Sequence, residues 1–130
     1  MRQADWDWIE SQLHITLPEY YKTIITDLSD QAPDVTDYRE LLTNRDDLVQ
    51  VNLEVTRNFG KASSGTGFVW GPDYFVIGMD EWDDFYFIDL RQERPSILYY
   101  DHEAGESSEF MSDLTEFVEF VSELNEEEEE

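Results

Sequence analysis

The spacing of apolar residues changes once along the chain, from a helical period to a strand period, and that change divides the polypeptide in two. In the first part, Trp6, Ile9 and Leu13 recur at i, i+3 and i+7 behind Asp5, whose carboxylate suits the N-terminus of a helix. A short extended stretch, Leu13 to Leu17, leads to Pro18, which fits the first position of a second helix. Tyr20, Tyr21, Ile24, Ile25 and Leu28 form the apolar stripe of that helix. Ser29 to Asp34 is polar, contains Pro33 and has no period, so a loop is expected there. Val35 to Leu42 fits a short strand or a turn of helix equally well. Thr43 or Asn44 then caps a third helix with Leu48, Val51, Val55 and Phe59 on one face, and Gly60 is expected to stop it in a left-handed conformation.

Beyond Gly60 the period falls to two, and aromatic and β-branched residues dominate. Phe68 to Trp70, Tyr74 to Ile77, Phe85 to Leu90 and Ile97 to Tyr100 are the expected strands. Their connections are too short for helical crossovers, so consecutive strands should pair antiparallel in a meander. Ser112 is placed to cap a final helix lined by Leu114, Phe117, Val118, Val121 and Leu124. The result is an α+β fold: a single domain over residues 1–125, with amphipathic helices packed on a twisted, mostly antiparallel sheet and a C-terminal helix. Glu126 to Glu130 have nothing to bury and form an acidic, solvated tail.

Charge alters this picture more than size does. The 130 residues include 32 Asp and Glu against 8 Lys and Arg, a formal charge of −24. Removing the five tail glutamates still leaves −19 on the body. Spread over roughly 7,000 Å² of folded surface, net charges stand about 17–20 Å apart, well beyond the Debye length of about 8 Å at physiological salt. Folding is therefore permitted, while nucleic acid and anionic membrane surfaces are repelled and basic proteins attracted. No segment approaches the length of a membrane span. The opening Met1 to Asp7 turns acidic at once, unlike a secretory signal, and a cytoplasmic location is expected.

Catalytic chemistry finds few parts. There is no Cys, so disulfides, thiolate metal sites and a Cys nucleophile are excluded, and no Gly-x-Ser-x-Gly elbow is present. Gly60 and Gly65 have the separation of a phosphate-binding loop, but Thr66 stands where that loop needs Lys, and the segment runs from helix to strand. Asp101 and His102 are neighbours on an extended segment and point to opposite sides, so they form no dyad; His14 reads as packing or capping. Asp80, Glu81, Trp82, Asp83 and Asp84 surround a tryptophan with carboxylates without the spacing of a calcium loop. An aromatic on a polar loop suits a protein interface. The residues give no case for an enzyme, a cofactor or a metal.

Four segments in order resemble the SUKH superfamily. Ile9 to Lys22 is similar to its opening helix, Leu-Pro and Tyr-bearing helix; Tyr74 to Asp80 with Asp84 to Leu90 resembles its central hairpin. Ile97 to Glu103 and Ser112 to Val118 resemble its next strand and closing helix. The resemblance implies helices on a twisted antiparallel sheet and carries no catalytic residues. Its bacterial members are immunity proteins that neutralise a cognate toxin domain, frequently a nuclease, and some eukaryotic members are regulatory scaffolds. A −24 surface suits the first role, since nuclease domains are basic where they grip phosphates. The expected partner is thus a basic toxin domain. The expected binding residues are the hairpin loop Asp80, Glu81, Trp82, Asp83 and Asp84, with Asp101, Glu103 and Glu106 beside it and Trp82 as the anchor. A scaffolding module without a toxin partner is the alternative, and a metal-dependent hydrolase a third.

Overall fold

The computed structural model of the chain describes residues 2–31, 40–61, 70–80, 84–101 and 103–128. They form α1 (Gln3–Leu13), α2 (Glu19–Gln31), α3 (Arg45–Lys61), β1 (Tyr74–Met79), β2 (Phe85–Asp89), β3 (Ile97–Asp101), β4 (Glu106–Met111) and α4 (Leu114–Glu128). The four strands make one sheet in the order β1-β2-β3-β4, each neighbour antiparallel. This is the expected α+β domain with a closing helix.

Helix starts follow local chemistry. The Asp5 carboxylate accepts the Arg2 N–H at 2.9 Å, so α1 begins two residues ahead of Asp5. At its other end His14 turns left-handed (φ 55°) and its N–H returns to the Glu10 carbonyl. Pro18 supplies the first carbonyl of α2, taken by the Lys22 N–H at 3.2 Å. Asn44 caps α3 by accepting the N–H groups of Asp46 (2.8 Å) and Asp47 (3.3 Å). The expected loop from Ser29 is corrected in part, because α2 continues to Gln31 before the chain approaches Pro33; Ala32 to Asp34 lie outside the described residues. Gly60 likewise lies within α3, not past its end. α4 extends to Glu128, so the backbone of the first three tail glutamates is helical.

The strand over Phe68 to Trp70 falls outside the described residues except for Trp70, which is not in a strand. β4 is an addition that periodicity does not announce. Its Glu-Ser-Ser-Glu-Phe-Met sequence has no apolar alternation, and five of its six residues are exposed. It forms because the turn after β3 returns the chain alongside, pairing Asp101 with Glu106, Tyr100 with Ser107, Tyr99 with Ser108 and Leu98 with Glu109.

Two clusters bury the sheet from opposite faces. The larger joins Trp6, Ile9, Tyr21, Ile25 and Leu48 of the helices to Phe75, Ile77, Tyr86, Ile88 and Ile97 of the strands, closed by Phe117 and Val121 of α4. The smaller collects Val55, Val76, Phe85, Phe87 and Tyr100, with Trp70 and Tyr74 against it. The Trp70 ring lies 5.3–5.7 Å from those of Tyr74, Phe85 and Phe87. Burial on both faces corrects the expected period of two: β1 and β2 are continuous apolar runs, buried at successive positions.

The β1 edge is closed by side chain and loop. Asn52, buried on α3, accepts the Val76 N–H at 2.7 Å and donates to the Val76 carbonyl at 3.0 Å, so its amide acts as one residue of a further strand. The Leu42 N–H donates to the Ile77 carbonyl at 2.9 Å. Glu40 enters this contact at φ 68°, a strained angle for a residue with a side chain. Its carbonyl oxygen would lie 1.9 Å from any β-carbon at position 78, so only glycine fits there.

Candidate functional site: the acidic end of the sheet

A meander puts alternate connections at the same end. The β1–β2 hairpin and the β3–β4 turn therefore share one end of the sheet, where Met79, Phe85 and Tyr100 lie side by side. Asp80, Asp84, Asp101, Glu103 and Glu106 are brought together there. Glu81, Trp82 and Asp83 lie outside the described residues.

The five described carboxylates divide by what they do. Asp80 and Asp84 close the hairpin: the Asp80 N–H donates to the Asp84 carbonyl at 2.9 Å, and the Asp84 N–H donates to Asp80 Oδ1 at 3.0 Å. The Tyr99 hydroxyl is shared between Asp80 Oδ2 (2.5 Å) and Asp84 Oδ2 (2.9 Å). Asp84 is only 6% exposed, so its charge is directed inward at that phenol. Asp101 shapes the next turn, accepting the N–H groups of Glu103 (3.0 Å) and Ala104 (3.3 Å) while its carbonyl takes the Gly105 N–H at 2.8 Å. Gly105 sits at φ 66°, the left-handed position that closes such a turn. Glu103 and Glu106 project into solvent.

Sequence reasoning missed three members of this end. Glu40 Oε2 accepts the Tyr86 hydroxyl at 3.1 Å, and the Tyr86 and Tyr99 rings lie 5.1 Å apart, so two phenols and three carboxylates form one network. Burial, followed by the bonds to Asp80 and Asp84 and their charges, drives the Tyr99 pKa far above its ordinary value. Burial, then the charge of Glu40, does the same to Tyr86. The available signal was Gly78, since a glycine within an apolar strand marks a close backbone approach. Among the described residues no group of three or more acidic or His side chains is placed to hold a metal ion.

Cations gather at the other end. Arg91 and Arg94 lie in the β2–β3 connection; Arg91 pairs with Asp89 at 2.7 Å, and Arg94 stacks 4.5 Å over Tyr20 beside Asp113. Lys22, 7% exposed, pairs with Glu19 at 3.1 Å and lies 3.7 Å from Glu10. A cavity of about 560 Å³ bounded by Glu10, His14, Ile15, Thr16, Pro72, Asp73 and Leu90 opens at this end as well. Each of these cations is paired with a carboxylate of its own end, whereas Glu103 and Glu106 at the hairpin end project into solvent.

A four-stranded antiparallel meander backed by helices defines a single domain of the α+β class. The model of the SMI1 / KNR4 family (SUKH-1) matches residues 2–119, and the chain belongs to that family. No curated protein and no solved structure matches the chain. Among the described residues no helix is long and apolar enough to cross a membrane.

Proposed function

We propose that this chain is an immunity protein that binds a cognate toxin domain with a basic surface, such as a nuclease, and neutralises it in the bacterial cytoplasm. The observation that carries this reading is the convergence of two acidic loops on one end of the sheet, with Arg91 and Arg94 held in ion pairs at the opposite end. A basic groove that grips phosphates meets its charge complement there. Family membership supports the reading, and −24 net charges on 130 residues supply long-range steering.

The binding surface comprises Asp80, Glu81, Trp82, Asp83, Asp84, Asp101, Glu103 and Glu106. Within it, Asp80, Asp84 and Asp101 build the loops, and Glu103 and Glu106 are free to meet cations. Trp82 serves as the anchor that loses water on docking.

Co-expression with the toxin domain encoded beside its gene should restore growth of a sensitive host. Combining Trp82→Ala, Asp83→Lys and Glu103→Lys leaves the buried Asp84 intact and should weaken the complex by about tenfold or more, with affinity falling as salt is added. Growth arrest despite the wild-type chain, or a triple variant that binds as tightly as wild type, would remove this reading.

A further inference from the structure

The two edges of the sheet are treated differently. β1 is covered along its outer side by the Asn52 amide and the Leu42 N–H. β4 has no strand on its outer side among the described residues, and Glu106 to Phe110 are all exposed. In any strand every second residue turns its N–H and C=O away from its partner, so β4 presents a row of backbone donors and acceptors to solvent. Proteins usually blunt such an edge with charged side chains, lysine above all, with proline or with a bulge, and the charges here, Glu106 and Glu109, repel an acidic strand but not a basic one. β4 contains neither lysine nor proline, and its register irregularity falls only near its far end, between the partners of Ile97 and Leu98. Glu106 to Glu109 remain a regular ladder.

Side chains along this edge select the occupant. Ser107 and Glu109 lie on the face of Tyr100 and Leu98, while Glu106 and Ser108 lie on the face of Asp101 and Tyr99. Phe110, 39% exposed, packs at 5.0–6.2 Å against the rings of Tyr86, Tyr99, Phe117 and Phe120 and offers an apolar step at the end of the strand. A second copy fits poorly, because antiparallel pairing about Ser108 would bring two glutamates from each chain into one short ladder between bodies of −24 each. An extended segment with lysine or arginine on both faces, three positions apart, fits well, as its backbone would complete the ladder and its cations would meet Glu106 on one face and Glu109 on the other.

We infer that the open edge of β4 is a docking site for an extended, basic segment of a partner protein, which joins the sheet as a fifth strand. The inference rests on the partner-binding reading above and adds a second contact to it, made through backbone hydrogen bonds.

Amide hydrogen exchange of the full chain, followed by NMR, tests this with three peptide probes of eight residues: lysine pairs alternating with valine pairs, so that each face carries lysine, the same peptide N-methylated at alternate residues, and glutamate pairs alternating with valine pairs. The lysine–valine peptide should slow exchange at every second β4 amide by about tenfold or more, and the other two should not. Glu106→Lys with Glu109→Lys should weaken that peptide by about tenfold. Protection elsewhere than β4, undiminished binding after N-methylation, or a dimer with β4 already protected without peptide would overturn the inference. If the toxin domain is bound while β4 stays unprotected, the inference alone falls; if β4 accepts the peptide but no toxin is neutralised, the immunity reading alone falls.

Discussion

Tyr21 carries the sharpest test of the packing. Its side chain is fully buried, wedged at 5.4 Å from the Trp6 ring and 5.7 Å from Phe75, and its hydroxyl has no hydrogen-bond partner among the described residues. An unpaired buried hydroxyl costs about 1–3 kcal/mol. Tyr21→Phe removes that cost and keeps both ring contacts. The void left is roughly 10 Å³, which at about 24 cal/mol per Å³ returns only about 0.2 kcal/mol. The substitution should therefore stabilise the fold by about 0.8–2.8 kcal/mol. With an unfolding entropy of about 2.1 cal/mol/K per residue, 1 kcal/mol moves Tm by about 4 °C in a chain of this length. Calorimetry should thus show Tm higher by about 3–11 °C. The same hydroxyl has a second consequence. Burial raises its pKa well above the ordinary 10.0, so the folded state keeps the proton that the unfolded chain releases. The tyrosine's contribution to stability is complete below pH 10 and is lost above it, by about 1.4 kcal/mol per pH unit for each such tyrosine. Tyr86, Tyr99 and Tyr100 are raised for the same primary reason, and Tyr21→Phe should remove one of these slopes from the alkaline limb. A lowered Tm, with the alkaline limb unchanged, would show that the hydroxyl is satisfied in solution and refute the argument.

Further outcomes follow from the sheet edge and the ion pairs. Gly78→Ala would drive a β-carbon into the Glu40 carbonyl, and urea denaturation should report a loss of about 3 kcal/mol or more, because the obstacle is backbone. Asn52→Leu keeps the volume but leaves the Val76 N–H and carbonyl unpaired, which should cost about 2–4 kcal/mol in the same assay. Hydrogen bonding from Arg91 holds the Asp89 carboxyl below its ordinary 3.8, and bonding from Tyr20 does the same at Asp113. Both contributions are present above pH 3.8 and fade as pH falls through the folded values, so Arg91→Gln should move the Asp89 NMR titration upward while leaving Asp113 in place.

The acidic end was partly legible and partly not. Asp80 through Asp84 and Asp101 through Glu106 were marked by composition, and the expected meander already placed their loops at a common end. What each carboxylate does there could not be read from composition, because Asp84 and Glu103 are the same kind of group until the fold sets one against Tyr99 and leaves the other in solvent. Glu40 could not be assigned at all, since it reaches Tyr86 from 46 positions away.

The sequence by itself determined the helices, the three apolar strands and their antiparallel order. Those depend on local periodicity, on capping residues such as Asp5 and Asn44, and on connections too short to cross over. Only the tertiary structure decided the fourth strand, the closure of one sheet edge and the openness of the other. A backbone hydrogen bond carries no side-chain signature, so Glu106 to Met111 becomes a strand only when β3 lies beside it, and Asn52 becomes an edge cap only when α3 lays it against Val76.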